Sequence, residues 1–406
     1  MAVRVRIRDN DDSTVSGIDD AMTDTHSYPL ARLGLVGGGQ LARMMIPPAK
    51  RLGCTCVVLD PTPDAPAGQM ADRQIVGDFH DAARLAELAA ATDVLTFDLE
   101  DINAEALIEL EQQGTRIVPS PELLRTIQDK LRQKQRLHDA GIPTAHFEAV
   151  DTPTREQFER FGHPLVQKAR RGGYDGRGVV VMRAASAFDE HLPVPSLIER
   201  FVPARKEIGV LVVRGRDGDT RVYPPVEMVF RPGENVLDML LAPADVPDTV
   251  VEEADRIAIR TVEALEGVGV FGVEMFWAEN GTLLVNEVAP RTHNSGHHTI
   301  ETCVTDQFEQ HVRAVLGLPL GSTELERPAA MINLLGAPGA TGPPVIEGLE
   351  AALAIPGVCV HLYGKAVTKP HRKMGHVTVV DEDLDRARTK AERVRELVLI
   401  TAEDPK

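Results

Sequence analysis

Short apolar runs alternate with segments of helical periodicity in the first third of the chain. The runs that we interpret as strands are Leu33–Val36, Cys54–Leu59, Val94–Phe97 and Arg116–Val118. The predicted helices are Gln40–Leu52, Ala82–Ala91, Ala104–Gln113 and Thr126–Ala140. Strands that alternate with helices indicate a parallel sheet covered on both faces. Pro47 and Pro48 lie inside the first helix and are expected to kink or break it.

The pattern changes after the Gly-Ile-Pro sequence at Gly141–Pro143. The next predicted strands are Pro164–Ala169, Gly178–Met182 and Ser196–Glu199, and later ones are Ile208–Val213 and Val222–Val229. We therefore expect an α/β and α+β protein with a disordered tail at 1–28. A Rossmann-like parallel-sheet domain at 29–145 is followed by a small central α+β lid domain at 146–206 and an antiparallel-sheet domain at 207–406.

Two acids are expected to face each other across a hairpin. The β-rich runs Val270–Ala278 and Thr282–Pro290 flank an Asn-Gly pair, which favours a two-residue type I′ turn. That turn pairs Glu274 with Glu287 and Phe276 with Val285, and places Phe276, Leu283 and Val285 on one face. Like charges directly opposite repel, so a cation such as Mg²⁺ or Ca²⁺ is expected between them. Two solvated acids on an exposed strand pair are the alternative.

Composition narrows the class of protein. The chain has 406 residues, of which 43% are hydrophobic and 26% charged, as in a globular protein with two or three domains around separate cores. The formal net charge of −17 argues against nucleic acid or an anionic membrane as partner. No membrane span or secretory signal is predicted. The four cysteines form no C-x-x-C pair, which argues against a zinc or disulfide framework and suits the cytoplasm.

A glycine-rich turn follows the first strand. Gly37, Gly39 and Ala42 match G-x-G-x-x-A, and Asp60 ends the next strand. Such a turn can hold a phosphate with backbone N–H groups and a helix N-terminus. This motif alone favours an NAD-dependent dehydrogenase, and a turn that needs glycine only for packing is the other interpretation.

A second glycine-rich loop, Arg170–Gly178, carries three arginines and lies between two predicted strands. Flexible backbone and positive charge suit a lid that closes over phosphates and excludes water. Lys168 ends the preceding strand, where an ammonium group can be held against a polyphosphate. Lys130 could act in the same way from its helix. Plain loop flexibility is the alternative.

Further acids and bases lie near predicted strand ends. Glu199 and Glu207 flank an apolar connector that could hold a purine, or they are surface charges. Arg291, His293 and Asn294 follow Glu287 closely and could donate hydrogen bonds to a small anion beside a metal.

Two other clusters have open interpretations. Zinc binding by His293, His297 and His298 lacks the paired Cys or HExxH pattern that would support it. Lys365 and His371–Lys373 form a basic cluster that is either a solvated strand edge or a phosphate site shared with the first glycine turn.

Four ordered motifs together resemble the ATP-grasp superfamily, and within it the N5-carboxyaminoimidazole ribonucleotide synthase family of purine biosynthesis. The matching segments are Gly34–Met44, Arg171–Gly178, Asn286–His297 and Arg372–His376. The formate-using glycinamide ribonucleotide transformylases are similar but usually have Asp-Thr-Gly where this chain has Asn294-Ser295-Gly296. The family usually has T-Y-E-F-E where this chain has Thr96-Phe97-Asp98-Leu99-Glu100, so the side chain of Asp98 is one methylene shorter than the usual glutamate.

The resemblance implies three domains and a set of site residues. The implied ATP-binding residues are Lys130, Lys168, Glu199 at the adenine, Val202, Glu207 at the ribose, Phe276 and Asn286. Glu274 and Glu287 would hold Mg²⁺. The implied catalytic residues are Asp175 and, around bicarbonate, Arg291, His293 and Asn294. The implied contacts to 5-aminoimidazole ribonucleotide are Gly39, Gln40, Glu100, Tyr174, Asp175, Arg177, Lys365 and Arg372.

The resemblance also implies a reaction. ATP and bicarbonate would give carboxyphosphate, and 5-aminoimidazole ribonucleotide would be carboxylated to N5-carboxyaminoimidazole ribonucleotide with release of ADP and phosphate. A homodimer is expected on the same ground. Three alternatives stay open: a formate-dependent glycinamide ribonucleotide transformylase, an NAD-dependent dehydrogenase, and a catalytically silent nucleotide-binding regulator.

Overall fold

A parallel sheet forms the first part of the computed structural model, which describes residues 27–173, 178–230 and 237–403. The strand order is β3-β2-β1-β4, and every pairing is parallel. The elements are β1 (Arg32–Val36), α1 (Gln40–Arg51), β2 (Thr55–Asp60), β3 (Arg73–Val76), α2 (Ala82–Ala91), β4 (Val94–Phe97), α3 (Ala104–Gln112), α4 (Pro121–Ile127) and α5 (Lys130–Asp139). The parallel sheet expected from the alternation of strands and helices is confirmed.

The break expected at the two prolines is absent from the described helix α1, and the continuous helix expected at 126–140 is wrong. Helix α1 runs through Pro47 and Pro48 because Met45, Ile46 and Ala49 are buried in the core, and packing of this kind overrides helix propensity. The single helix expected at residues 126–140 is divided into α4 and α5. The division arises because the Asp129 side chain accepts hydrogen bonds from the N–H groups of residues 131 and 132 and so begins a new helix.

A small antiparallel sheet follows, with the order β5-β8-β6-β7. Its elements are β5 (Phe147–Val150), α6 (Arg155–Phe161), β6 (Leu165–Ala169), β7 (Val179–Met182), a 3₁₀ helix (Ala185–Glu190) and β8 (Ser196–Arg200). Its core is formed by residues that include Val150, Phe158, Leu165, Met182 and Ile198. The small central α+β unit expected from the sequence is confirmed.

A large antiparallel sheet completes the fold, with the order β14-β13-β9-β11-β12-β15-β18-β17 and β10 beside β9. Its first elements are β9 (Ala204–Arg214), β10 (Thr220–Val222), β11 (Val226–Phe230), β12 (Leu237–Ala242), α7 (Asp248–Ala264), β13 (Gly269–Ala278), β14 (Leu283–Ala289), a 3₁₀ helix (Asn294–Gly296), α8 (Thr299–Thr302) and α9 (Gln307–Leu316). The last are β15 (Ala329–Leu335), β16 (Pro344–Glu347), α10 (Leu349–Leu353), β17 (Val358–Leu362), β18 (Lys373–Val380), α11 (Leu384–Leu397) and β19 (Leu399–Ala402). The strand expected at 222–229 is divided where Pro224 and Pro225 lack an N–H group to donate.

The parallel sheet and the large sheet share hydrophobic cores, contrary to the expectation of separate ones. Leu123 of α4 and Leu137 of α5 pack in one cluster with Ile208, Ile257 and Phe271. In a second cluster, α9 packs against α1. Helix α5 is thereby fixed beneath the β13–β14 hairpin. The division at residues 29–145, 146–206 and 207–406 stays our proposal for the domain limits. Among the described helices, none combines the length and apolar character needed to cross a bilayer.

Candidate active site

The β13–β14 hairpin brings Glu274 opposite Glu287, as expected. The turn is different from the expected one: Ala278 N–H donates to Thr282 O at 2.9 Å, so Glu279, Asn280 and Gly281 form a three-residue loop. Gly281 has φ +87°, which favours glycine. The longer loop shifts the register by one residue, and Phe276 therefore pairs with Leu284 instead of Val285.

A β-bulge restores the register before the two acids. Met275 pairs with Val285 and Glu274 with Glu287, so Asn286 is the extra residue. The expected shared face is wrong, because a one-residue shift moves side chains to the opposite face. Val285 and Leu283 pack with Met275 in the core, and Phe276 is not among the residues of that core. The opposition of the two acids thus depends on the bulge.

The two acids have different electrostatic surroundings. Lys130 Nζ donates to Glu287 Oε2 at 2.6 Å, and His293 Nε2 lies 3.4 Å from Glu274 Oε1. Burial and the neighbouring charge of Glu287 raise the pKa of Glu274, whereas the Lys130 ammonium lowers the pKa of Glu287. Burial also raises the pKa of nearby Glu207 to about 7. A cation placed here would relieve this excess of carboxylates.

Lys168 lies between the small sheet and the bulge. Its Nζ is 2.7 Å from Glu199 Oε2 and donates to Asn286 Oδ1 at 2.7 Å. On the other side of Glu199, Lys134 Nζ is 2.8 Å from Oε1, as an ion pair without hydrogen-bond alignment. Burial alone would raise the pKa of Glu199, but the two ammonium groups lower it to about 2. Glu199 is therefore an ionised carboxylate between two lysines.

The segment after Glu287 packs closely against β13 at Gly272. A Cβ at Gly272 would lie 2.6 Å from His293 Cγ, so glycine is needed there for close approach. Arg291 Nη2 lies 2.9 Å from Glu100 Oε1, and His293 N–H donates to Gln307 Oε1 at 2.8 Å. Asn294 exchanges amide hydrogen bonds of 3.1 and 2.9 Å with Asn333. The structure thus places Arg291 against Glu100, while Gln307 bonds His293 and Asn333 bonds Asn294.

The N–H groups of the first glycine turn donate to two carboxylates. Gly38 N–H donates to Asp60 Oδ2 at 2.9 Å, and Gly39 N–H donates to Asp98 Oδ2 at 3.0 Å. Ala42 N–H also donates to Asp98, at 3.3 Å. Burial raises the pKa of Asp98 to about 6. Asp60 is engaged in the turn, which removes the free acid that the dehydrogenase interpretation requires for a ribose.

Gly37→Ala is expected to lower the free energy of unfolding by roughly 2–5 kcal/mol, because φ is unfavourable and the site is overpacked. Gly37 has φ +101°, and an added Cβ would lie 1.7 Å from Asp98 Oδ1. Gly114→Ala is the control, since Gly114 has φ +98° with nothing within 4 Å of its Cβ position. Urea unfolding measures both variants. Equal losses would contradict a cost of contact with Asp98.

The basic cluster is linked to the parallel sheet. Gln69 Nε2 donates to Gly364 O at 2.9 Å, and Arg43 Nη1 of α1 donates to Gln69 Oε1 at 3.0 Å. Lys365 Nζ donates to Lys373 O at 2.7 Å, and Arg372 Nη1 donates to Val367 O at 2.5 Å. Gly364, which precedes Lys365, is thereby linked to α1, and α1 begins at Gln40 directly after the glycine turn.

The remaining residues of interest lie in or beside the same region. Phe276 pairs with Glu207 across β13 and β9. Val202 follows β8 and is half-buried. Arg170 Nη2 donates to Asp129 Oδ2 at 2.6 Å, which anchors the start of the glycine-rich loop to α5. Tyr174, Asp175 and Arg177, like residues 1–26 of the expected tail, lie outside the described residues.

Several residues that build the site were missed in the sequence. Gln133 exchanges two 3.1 Å hydrogen bonds with the backbone of Val288. Gln307, Asn333 and Arg43 also contact the residues discussed above. Their partners are distant in sequence, and only the position of Arg43 within the Gly34–Met44 motif could have indicated its role.

Family models match three consecutive parts of the chain. Residues 30–128 match the ribonucleotide synthetase preATP-grasp domain, residues 135–308 the ATP-grasp domain, and residues 329–390 the phosphoribosylaminoimidazole carboxylase C-terminal domain. The N5-carboxyaminoimidazole ribonucleotide synthase of Synechococcus elongatus is 40% identical over 358 residues, which is 86% of this chain and 90% of that protein. The chain belongs to the N5-carboxyaminoimidazole ribonucleotide synthase family.

Other relatives and solved structures are also similar to this chain. The phosphoribosylaminoimidazole carboxylase of Ogataea methanolica is 42% identical over 87% of this chain, which spans only 67% of that longer protein. The Thermotoga maritima N5-carboxyaminoimidazole ribonucleotide synthetase structure is 47% identical, with a TM-score of 0.86, and covers 92% of this chain and 100% of its own. An Aspergillus clavatus enzyme of the family, crystallised with ADP and 5-aminoimidazole ribonucleotide, is 34% identical, with a TM-score of 0.83 over 90% of this chain and 98% of its own. The expected ATP-grasp fold is therefore confirmed.

Proposed function

We propose that this chain is an ATP-dependent ligase that carboxylates 5-aminoimidazole ribonucleotide with bicarbonate. The products are N5-carboxyaminoimidazole ribonucleotide, ADP and phosphate, and the step belongs to purine biosynthesis. The observation that carries the proposal is the opposed pair Glu274 and Glu287, with Lys130 bonded to one of them. Family membership identifies the reaction, and this pair supplies the chemistry that the reaction requires.

The acid pair fits a divalent cation. Oxygen ligands suit Mg²⁺, which keeps water and phosphate oxygens in its shell. Glu274 and Glu287 would supply two of these oxygen ligands. When bound on Glu274 and Glu287, Mg²⁺ would neutralise charge that develops on the phosphates. Burial and the charge of Glu287 raise the pKa of Glu274, which shows that a second negative charge beside Glu287 is unfavourable without a cation and supports this assignment.

The ATP-binding residues that we propose surround the junction of the small and large sheets. Lys130 and Lys168 would hold phosphates, with Asn286 beside Lys168. Glu199, Val202, Glu207 and Phe276 would surround the nucleoside, with Glu199 at the adenine and Glu207 at the ribose. In phosphoryl transfer the protein contributes mainly by positioning and by electrostatic stabilisation. Fixed ammonium groups between two sheets are suited to both.

The proposed reaction has two stages. A bicarbonate oxygen attacks the γ-phosphorus of ATP, the bond to the β–γ bridging oxygen breaks, and ADP leaves with carboxyphosphate formed. Carboxyphosphate divides into CO₂ and phosphate, and the amine nitrogen of the ribonucleotide then forms a bond to CO₂ carbon. Arg291, His293 and Asn294 would orient bicarbonate, and Asp175 would accept the amine proton. Water must be excluded because carboxyphosphate hydrolyses easily.

The ribonucleotide is proposed to lie between the first glycine turn and the basic cluster. Gly39, Gln40 and Glu100 would contact it from one side, Lys365 and Arg372 from the other, and Tyr174, Asp175 and Arg177 from the glycine-rich loop. The link from Arg43 through Gln69 to Gly364 supports this arrangement, because it joins the two sides directly.

A homodimer and a cytoplasmic location are part of the proposal. A monomeric mass in light scattering would contradict the first, and recovery outside the cytoplasmic fraction would contradict the second.

The purified chain tests the proposal directly. Release of ADP from ATP, Mg²⁺ and bicarbonate is expected to be much faster with 5-aminoimidazole ribonucleotide than without it. ¹³C-bicarbonate should label the product, as NMR can measure. Turnover with formate and glycinamide ribonucleotide instead would support the transformylase alternative and contradict our substrate. NADH-dependent reduction of a carbonyl compound would support a dehydrogenase, and ATP binding without turnover a regulator.

A further inference from the structure

Lys134 is a buried lysine for which the proposed reaction has no role. It lies on α5, one helical turn after Lys130, and its side chain is only 4% exposed. Its Nζ lies 2.8 Å from Glu199 Oε1, 3.0 Å from Asn286 O and 3.3 Å from Val285 O. An ammonium group has three hydrogens to donate; Lys134 donates to the two backbone carbonyl oxygens and has Glu199 as its buried counter-charge. Lys134 can therefore affect a nucleotide only through its neighbours.

Two of those neighbours, Val285 and Asn286, belong to the bulge that brings Glu274 and Glu287 opposite each other. Asn286 is the extra residue of β14, and without it Glu287 would not lie opposite Glu274. β14 is the outer strand of the large sheet as far as the structure describes it. The outward backbone groups of an outer strand need partners from elsewhere. Lys134 supplies them for Val285 and Asn286, and Gln133 supplies them for Val288.

The third neighbour connects Lys134 to the nucleotide side. Glu199 on β8 forms an ion pair with Lys134 at one oxygen and with Lys168 at the other, and Lys168 also donates to the Asn286 side chain. These contacts form a closed arrangement, completed by the bond from Lys134 to the Asn286 backbone carbonyl, that joins α5, the small sheet and the large sheet. Removing Lys134 would leave bare carbonyl oxygens at the bulge, and Glu199 would depend on Lys168 alone. Leaving buried groups without their partners is unfavourable, so we expect the bulge and Glu199 to shift.

We propose that Lys134 is a positioning residue, which holds the β14 bulge and Glu199 so that Glu287, Asn286 and Lys168 are in place for the metal–nucleotide complex. The inference rests on the proposed function for the identity of that complex. Residues that orient metal ligands without touching the metal commonly change metal affinity or activity by about 10–100-fold when replaced. Lys134 has the same relation to Glu287, through one strand.

Lys134→Met is the first test. We expect KM for ATP, and the Mg²⁺ concentration that gives half-maximal rate, to rise by about 10–100-fold. KM for 5-aminoimidazole ribonucleotide should change little, because the basic cluster and the first glycine turn do not contact Lys134. A merely structural role would lower the active fraction, and so kcat, without moving KM for ATP. Unchanged KM for ATP and unchanged Mg²⁺ dependence would therefore overturn the proposal.

Lys390→Met is the matched control. Lys390 Nζ also joins a carboxylate and a backbone carbonyl, at 2.7 Å from Asp381 Oδ2 and 2.9 Å from Pro356 O, but it lies on α11. We expect this variant to keep wild-type KM values for both substrates. An equal rise in KM for ATP in the two variants would contradict a specific role for Lys134.

A second variant keeps the inference testable if Lys134→Met does not fold. A binding measurement separates the failure of the inference from the failure of the proposed function. Lys134→Gln keeps a donor for one bulge carbonyl without the charge, and it is expected to show a smaller shift of KM for ATP if Lys134→Met does not fold. Calorimetry with a non-hydrolysable ATP analogue and Mg²⁺ measures the dissociation constant without turnover. If the wild type binds the analogue but does not carboxylate the ribonucleotide, the proposed function fails alone. Equal dissociation constants in the wild type and the folded Lys134 variant overturn the inference alone.

Discussion

Glu274→Gln is expected to lower the rate of ATP turnover by about 10²–10³-fold or more, because one ligand of the divalent cation loses its charge. The fold should remain intact. Burial and the charge of Glu287 raise the pKa of Glu274, so the metal-free protein favours a neutral carboxyl group that the amide resembles closely. Steady-state ADP release at saturating Mg²⁺ and the thermal unfolding midpoint are the two measurements.

Glu279→Gln is the matched control for this prediction. Glu279 lies in the exposed loop of the same hairpin, so the variant loses the same charge without touching the acid pair. We expect wild-type turnover from it. Near-normal turnover by Glu274→Gln would remove the metal assignment altogether.

The same variant should change the pH dependence of stability. A carboxyl group whose pKa is raised by folding stabilises the protein fully below its unfolded pKa, and this stabilisation is lost as pH rises through the folded pKa. The metal-free wild type is therefore expected to lose free energy of unfolding as pH rises above the ordinary range of glutamate. Glu274→Gln should lessen that loss without abolishing it, since Glu207, with its pKa raised to about 7, contributes similarly. Urea unfolding at several pH values, with a chelator present, measures how the free energy of unfolding of each protein changes with pH. Equal pH dependence in the wild type and the variant would contradict the raised pKa of Glu274.

Lys168→Met is expected to lower kcat/KM for ATP by about 10²–10³-fold, because a fixed charge is removed from the proposed phosphate site. Lys168 also bridges Glu199 and Asn286, at 2.7 Å from each, so its loss leaves a buried carboxylate with Lys134 alone. Stopped-flow or steady-state ADP release measures the loss.

Lys206→Met controls for the removal of a half-buried lysine. Lys206 bonds Glu227 and the Asp245 carbonyl oxygen at 2.7 Å each. It precedes Glu207 on β9 and therefore points to the opposite face of the strand. A similar loss of kcat/KM in both variants would show that general destabilisation, and not the charge of Lys168, is responsible.

Local chemistry predicted much of the fold. The alternation of strands and helices gave the parallel sheet, and the four motifs gave the family. Pro47 and Pro48 misled because the penalty for proline in a helix was smaller than the gain from burying Met45 and Ile46. Asp129 had no local pattern that distinguished it from any other acid in a helix, and its capping role divides α4 from α5.

The acid pair was predicted correctly, for a reason that was incomplete. The expected two-residue turn and the observed three-residue loop differ by one residue, and the extra residue Asn286 cancels the difference before Glu287. A bulge depends on partners across the sheet and from α5, including Gln133 and Lys134, which lie about 150 positions earlier in sequence. Contacts at such a distance leave no periodic pattern in a single sequence. The same holds for Gln307 and Asn333.

The hydrophobic cluster that α4 and α5 share with the large sheet limits how the molecule can be dissected. A fragment that begins after residue 145 would expose the faces of Ile208, Ile257 and Phe271 that Leu123 and Leu137 now cover. We therefore expect that the chain after residue 145 does not fold independently of α4 and α5. Because this cluster joins α4 and α5 to the large sheet, we expect α5 and the β13–β14 hairpin to keep their relative position during turnover.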